Sequence, residues 1–288
     1  MTTQGAIAEP DHSEAVGRKE HRSETILPDR AAALAATLDI ARVPLAGEGL
    51  PPGWHWLFFN PFVQRSGIGE DGHPKRGGFL PDVGLPRRMW AGGRLTYLAP
   101  LPVGAEAQKE SEIVNLSAKS GRAGRLVFVT VRHRIGSGGQ LCIEEEQDIV
   151  YREAPAPDAP KPQPAPAPDG AAWSEEVVPD PVLLFRYSAL TSNGHRIHYD
   201  RPYATGEEGY PGLVVHGPLL ATLLQGFAQQ CRPGAALARF SFRGMAPVFV
   251  DAPFRLEAKP GDGDGALSLW VQGPAGELAM TADAFFEE

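Results

Sequence analysis

Two cysteines in 288 residues, Cys142 and Cys231, are too few and too far apart for a disulfide framework or a cysteine-based metal site. They are expected to be reduced thiols in packed positions. Long apolar runs are also missing: nothing approaches the roughly 18 apolar residues a membrane helix requires. The polar N-terminus, MTTQGAIAEPDHSEAVGRKEHRSE, has no apolar core for a secretory signal. Basic charge is short as well, 27 Lys and Arg against 35 Asp and Glu, for a net charge of −8. That balance excludes a general nucleic-acid binder, which needs a basic face. No Gly-rich phosphate loop, nucleophile elbow or paired-cysteine motif occurs. With 42% apolar and 22% charged residues, the chain has ordinary globular usage. The expectation is a soluble, cytoplasmic protein of one large or two small domains, without a nucleic-acid or membrane partner.

Proline supplies the clearest boundary. Residues 153–170 read EAPAPDAPKPQPAPAPDG, a density that no helix or strand interior tolerates. We take 153–172 as a semi-rigid linker between an N-terminal unit (29–152) and a C-terminal unit (173–288), with 1–28 as a flexible leader. In the first unit, RAAALAATLDIAR is built of strong helix formers, with Asp29 as the expected cap. Trp54, Trp56, Phe58 and Phe59 suggest a strand against that helix. Residues 67–93, rich in glycine and proline, suggest a loop. Strand patterns follow at 94–98, 106–119, 126–135 and 141–151, with a turn at 136–139. The second unit shows a long apolar helix at 217–230 and strands at 237–242, 254–259, 266–271 and 278–286. A helix with antiparallel strands, twice over, is an α+β arrangement of two similar units.

Chemistry concentrates in RYSALTSNGHRIHYDRPYA, residues 186–204, where Asn193, His195, His198 and Asp200 crowd together among turn formers. Histidine exchanges protons near neutral pH, and Asn193 and Asp200 can orient a ring or a water. The competing reading is a polar turn whose groups satisfy one another. Next comes YPGLVVHGPLLATLLQGFAQQ, in which Gly217 opens a helix and Pro218 fills its first turn. A helix start leaves N–H groups and the positive dipole end free for an anion such as a thioester enolate. Leu219, Leu220, Leu223, Leu224 and Phe227 on that helix are core.

Together, N-G-H-R-I-H-Y-D-R-P and V-V-H-G-P-L-L resemble the MaoC-like hydratases, which carry D-x-N-P-L-H-x-D-P followed by a V-H-G helix start. The resemblance implies a double hotdog, each antiparallel sheet wrapped around a central helix, and addition or removal of water across an enoyl thioester. It places His198 on the catalytic histidine, Gly217 on the oxyanion-hole glycine and Asn193 on the catalytic aspartate. An amide cannot act as a general base, so Asp200 is a candidate compensating carboxylate. His195 and His216 flank these positions as substrate contacts. DGHPKRGGFLP and PRRMWAGGRL extend the resemblance, over roughly residues 50–288, to a subgroup with an N-terminal companion domain. That subgroup includes hydroxyacyl-thioester dehydratase type 2 and the bacterial mesaconyl-CoA, 3-methylfumaryl-CoA and itaconyl-CoA hydratases. The first half lacks the histidine and V-H-G pairing and is expected to be non-catalytic.

Arg87 and Arg88 offer forked donors for phosphate or carboxylate, and Trp90 a shelf for adenine or the pantetheine arm. Lys75, Arg76 and Arg201 are further candidates for a CoA phosphate. Arg196 is expected to meet a substrate carboxylate. Glu144–Glu146 reads as a solvated strand end and His133 as a structural residue. No metal or redox cofactor is expected; coenzyme A enters only as part of the substrate. The expected assembly is a monomer or a homodimer of double hotdogs. A hotdog thioesterase, a fatty-acid or polyketide dehydratase and a non-catalytic acyl-CoA-binding module are the alternatives.

Overall fold

The computed structural model describes residues 12–121, 124–154 and 163–287. The N-terminal half contains β1 (Lys19–Thr25), α1 (Pro28–Thr37), β2 (Arg87–Tyr97), β3 (Glu106–Gly121), β4 (Gly124–Ser137) and β5 (Gln140–Arg152). The C-terminal half contains β6 (Trp173–Val177), α2 (Pro181–Thr191), α3 (Arg201–Gly206), α4 (Gly217–Cys231), β7 (Ala236–Gly244), β8 (Phe254–Pro260), β9 (Ala266–Gln272) and β10 (Leu278–Glu287). In β4, Val127, Val129, Val131, His133 and Ile135 are buried while their neighbours are not, the period-two pattern of a sheet with one covered face. Gly138 and Gly139, with φ of 59° and 83°, close the β4–β5 hairpin in a turn that requires both residues to be left-handed.

All ten strands form one antiparallel sheet in the order β1-β3-β4-β5-β2-β7-β10-β9-β8-β6. Read outward from its centre, β2, β5, β4, β3 and β1 match β7, β10, β9, β8 and β6. The duplication inferred from element order is thus a duplication of topology, and two hotdog sheets meet edge to edge at β2–β7. Glycine makes that junction possible: a Cβ on Gly92 would lie 2.6 Å from the Phe242 carbonyl oxygen. The α4 helix fills the C-terminal half, burying Leu219, Leu220, Leu224 and Phe227 against β7–β10, each worth about 1.5–3 kcal/mol.

Several local expectations are corrected. Residues 19–25 are not leader but strand β1, pairing with Glu106–Glu112 of β3, and Ile26 is fully buried; residues 1–11 of the leader lie outside the described residues. Residues 155–162 of the linker also lie outside them, while its remainder runs along the second half, Ala172 N–H donating to the Ala258 carbonyl at 2.8 Å. The first helix begins at Pro28 with Leu27 before it, so Asp29 lies in the first turn and does not cap. The aromatic run is a 3₁₀ turn at Trp54–Leu57, not a strand. Gly53 (φ 80°) and Phe59 (φ 63°) bend the chain so that all four rings turn inward, which an extended strand would alternate. Arg87–Gly93 belongs to β2, because glycine at the β2–β7 junction serves close strand approach and not a turn.

Candidate active site

The site grows from the end of α2. Ser192 takes the left-handed conformation (φ 53°), and the Asn193 side-chain oxygen accepts the His195 N–H at 3.0 Å, a local turn that ends the helix. That use of the oxygen leaves the Asn193 NH₂ as the group it can offer outward. A 3₁₀ turn at Arg196–His198 then buries Ile197 and His198. His198 Nδ1 lies 2.7 Å from the Val214 carbonyl oxygen. A carbonyl only accepts, so Nδ1 carries the proton and Nε2 is the basic nitrogen. Burial lowers the pKa of this ring to about 4, outweighing the Val214 bond, so it is neutral at pH 7.

His216 stacks on His198, with ring centroids 3.6 Å apart and planes 20° from parallel, and its Nε2 meets Ser188 Oγ at 2.8 Å. Burial, then the charges of His198 and His195, push its pKa well down. It is also the N-cap of α4, so the helix's first residue, Gly217, follows directly. A Cβ on Gly217 would meet nothing within 4 Å, and as the first residue of α4 its N–H has no partner within the helix. A neutral buried imidazole and a helix N-terminus are therefore next to each other.

Two predicted residues are committed elsewhere. Arg196 Nε and Nη2 donate to Asp200 at 2.9 and 2.8 Å, Nη1 donates to the Glu70 carbonyl, and the guanidinium lies over the Tyr203 ring at 4.1 Å. Asp200 caps α3 by accepting the Tyr203 N–H at 3.1 Å. The pair is thus closed on itself, Arg196 neither free for a substrate carboxylate nor Asp200 for proton transfer. Arg87 pairs with Glu208 at 3.0 Å. Arg76 donates to the Leu85 and Pro86 carbonyls, Arg201 pairs with Asp251, and the Lys75 N–H closes a turn on the Gly67 carbonyl. Trp90 is no adenine shelf: its ring packs edge-on against Trp56 and Phe242 at the junction of the halves, and its Nε1 donates to the Gly92 carbonyl. Arg88 has no ion pair among the described residues.

The N-terminal half contributes groups that sequence reasoning missed. His73 Nδ1 lies 3.1 Å from Asp71 Oδ2, and its ring sits 4.2 Å from that of His195, which in turn meets His198 edge-on at 5.5 Å. Burial, then the charges of His73 and His198, lower the His195 pKa. Burial raises the Asp71 carboxyl, but hydrogen bonds from His73 and the charges of His73 and His195 prevail and hold it well below the usual range. Glycine allows this contact: a Cβ on Gly72 would fall 1.8 Å from the Gly194 carbonyl oxygen, while Arg196 N–H donates to the Asp71 carbonyl at 2.9 Å. The signal was present in the DGHP turn of the first half, but nothing local said that it faces His195. Among the described residues, Asp71, His73 and His195 are also the group whose donor atoms, all within 4.8 Å, could hold a metal ion.

Glu145 corrects the reading of the acidic triplet. Glu144 and Glu146 pair with arginines at the surface, but Glu145 is 2% exposed. It accepts from Trp56 Nε1 and Gln147 Nε2 at 2.9 Å each and from His55 Nε2 at 3.0 Å. Burial raises its carboxyl, but those partners outweigh it and the net pKa falls to about 2. His133 is satisfied by Ser111 Oγ at 2.8 Å, a structural role.

A neutral buried histidine beside a helix N-terminus, in a double hotdog, supplies a proton acceptor and an anion-binding helix end, the parts that hydration of an acyl thioester uses. Residues 53–250 match the family model of hydroxyacyl-thioester dehydratase type 2, and the chain belongs to that family. Mesaconyl-C(4)-CoA hydratase of Chloroflexus aurantiacus is 52% identical over 93% of this chain and 95% of its own length. A MaoC-like dehydratase of Phytophthora capsici superposes with a TM-score of 0.69 at 13% identity, covering 94% of this chain and 96% of that one. A Mycobacterium tuberculosis protein described as a double hotdog superposes with a TM-score of 0.56 at 16% identity, over 94% of this chain and 96% of its own. Among the described residues no helix is long and apolar enough to cross a membrane.

Proposed function

We propose that this chain hydrates a short, branched enoyl-CoA carrying a second carboxylate, of the mesaconyl-C4-CoA type. The observation that carries the reading is the stacking of neutral His198, at 3.6 Å, on the residue that precedes the Gly217 amide. In the mechanism, His198 Nε2 takes a proton from water and the hydroxyl oxygen bonds to the β-carbon as the C=C π bond breaks. The electron pair moves onto the thioester oxygen, where the Gly217 N–H and the positive end of α4 hold the enolate. One such donor is worth about 3 kcal/mol of barrier. The proton on His198 then returns to the α-carbon, and the thioester carbonyl re-forms. The Asn193 NH₂ orients the water or the thioester.

Support for the substrate class comes from the 52% identical relative, whose name is mesaconyl-C(4)-CoA hydratase. That relative is bacterial, and we place this protein likewise in the cytoplasm. The test is loss of the conjugated-thioester absorbance without release of free thiol. The variant His198→Ala should lose about 100-fold or more in kcat, the low end for a positioned acid–base group, at nearly unchanged Tm. Retained activity in that variant overturns the assignment, and stoichiometric thiol release would mean a thioesterase.

A further inference from the structure

A half-thioester of a diacid brings a carboxylate into the same cavity as its reacting double bond. A carboxylate out of water costs several kcal/mol unless a cation and hydrogen-bond donors meet it. Five arginines are candidates for an anionic group of the substrate. Arg196 is closed on Asp200, Arg87 on Glu208 and Arg201 on Asp251, and Arg76 donates to two backbone carbonyls. Arg88 is the member of this set with no carboxylate or carbonyl partner among the described residues.

Its surroundings are built for an anion. Arg88 lies directly opposite Tyr151 in the β2–β5 register. Tyr151 is fully buried, and the Arg88 guanidinium is the one group placed to donate to its hydroxyl oxygen, which leaves the O–H hydrogen without an acceptor among the described residues. Burial raises the phenol's pKa against the opposing effect of Arg88, so the hydroxyl stays protonated and remains a donor. A half-buried guanidinium thus stands beside a buried O–H donor without an acceptor, an arrangement that is costly unless an anion completes it. The carboxylate whose charge reaches Tyr151 is Asp82, which is exposed and accepts the Gly84 N–H at 3.1 Å. The Arg88 charge reaches His195, whose ring is edge-on to His198 at 5.5 Å. Geometry places this end of β2 beside the turn that carries His198: the adjacent Arg87 pairs with Glu208, which accepts from Tyr203, and the Tyr203 ring lies under Arg196 at 4.1 Å. The CoA phosphates, by contrast, lie a whole pantetheine arm away from the thioester.

We propose that Arg88 and Tyr151, both from the N-terminal half, form the subsite for the substrate's free carboxylate. The half without the catalytic histidine then sets specificity, while the other half does the chemistry. This rests on the reading of the chain as an enoyl-CoA hydratase.

The test compares 3-methylfumaryl-CoA with 3-methylcrotonyl-CoA, in which a methyl group replaces the carboxylate. In Arg88→Gln, kcat/KM for the diacid thioester should fall about 100-fold, with only a few-fold change for the neutral one. Tyr151→Phe should show the same pattern at about 10-fold, and Arg88→Lys should lie between Arg88→Gln and the parent. Both substrates are measured on one preparation, so any unfolded fraction cancels in their ratio. Arg196→Gln should lower both rates alike, because it acts through the turn that carries His198. An unchanged ratio in Arg88→Gln, in a protein active on the diacid, overturns the subsite and leaves the hydratase reading intact. A parent protein inactive on both thioesters overturns both.

Discussion

Gly72→Ala tests whether the N-terminal loop is part of the active site. Gly72 has φ of 88°, and an added Cβ would lie 1.8 Å from the Gly194 carbonyl oxygen, 2.8 Å from its carbon and 3.3 Å from Arg196 N. All three are backbone atoms, so no side chain can swing aside. Restoring van der Waals contact requires the two segments to separate by more than about 1 Å. That movement breaks the Arg196 N–H to Asp71 carbonyl bond and withdraws His73 from His195. Gly77 is the control: its φ is 90°, but a Cβ there meets nothing within 4 Å. Both variants incur about 1–2 kcal/mol for a left-handed alanine, and Gly72→Ala adds about 1 kcal/mol for the lost hydrogen bond. Misplacement by about 1 Å can cost a site about 100-fold. Steady-state kinetics with thermal melts should therefore show a loss in Tm for both variants, larger by a few degrees for Gly72→Ala, but a fall in kcat/KM of about 100-fold for Gly72→Ala alone. Equal activity in the two variants would refute a composite site.

Two further outcomes follow from buried ionisable groups. Because His198 titrates near pH 4 and not near 6.5, kcat/KM should stay flat through neutral pH and fall only in acid as the ring protonates; an acid limb centred near 6.5 would show the ring to be solvated. The same depression means that the unfolded chain binds protons first: stability is fully present above pH 6.5 and declines by up to about 3 kcal/mol as pH falls to 4, measurable as urea midpoints. His195 and His216 act with the same sign. Glu145→Gln should destabilise the fold by about 3 kcal/mol, since an NH₂ would face the donors Trp56 Nε1, Gln147 Nε2 or His55 Nε2. Activity per folded molecule should be retained, and urea titration with kinetics separates the two effects.

What the sequence by itself determined is whatever local chain chemistry dictates. The strands β3, β4, β5 and β7 to β10 and the α4 helix were legible because period-two and helical patterning need no partner to be recognised, whereas β1, β6 and the start of β2 were not. The segments of His198 and Gly217, which the structure brings together through His216, were legible because their motifs are continuous in the chain and the helix start at Gly-Pro is local. Only the tertiary structure decided which charges remain available. Arg196 and Asp200, adjacent to the catalytic segment, are closed on each other, whereas Arg88, more than a hundred positions away, faces the buried Tyr151 hydroxyl. Glu145 looked solvated beside Glu144 and Glu146, yet strand alternation turns it inward onto His55 and Trp56. Asp71 and His73 reach His195 only through glycines at 72 and 194 that let two backbones touch. Periodicity reports which face a residue prefers. Which residue of the other half meets it there depends on how the two sheets join at β2–β7, and no local pattern carries that information.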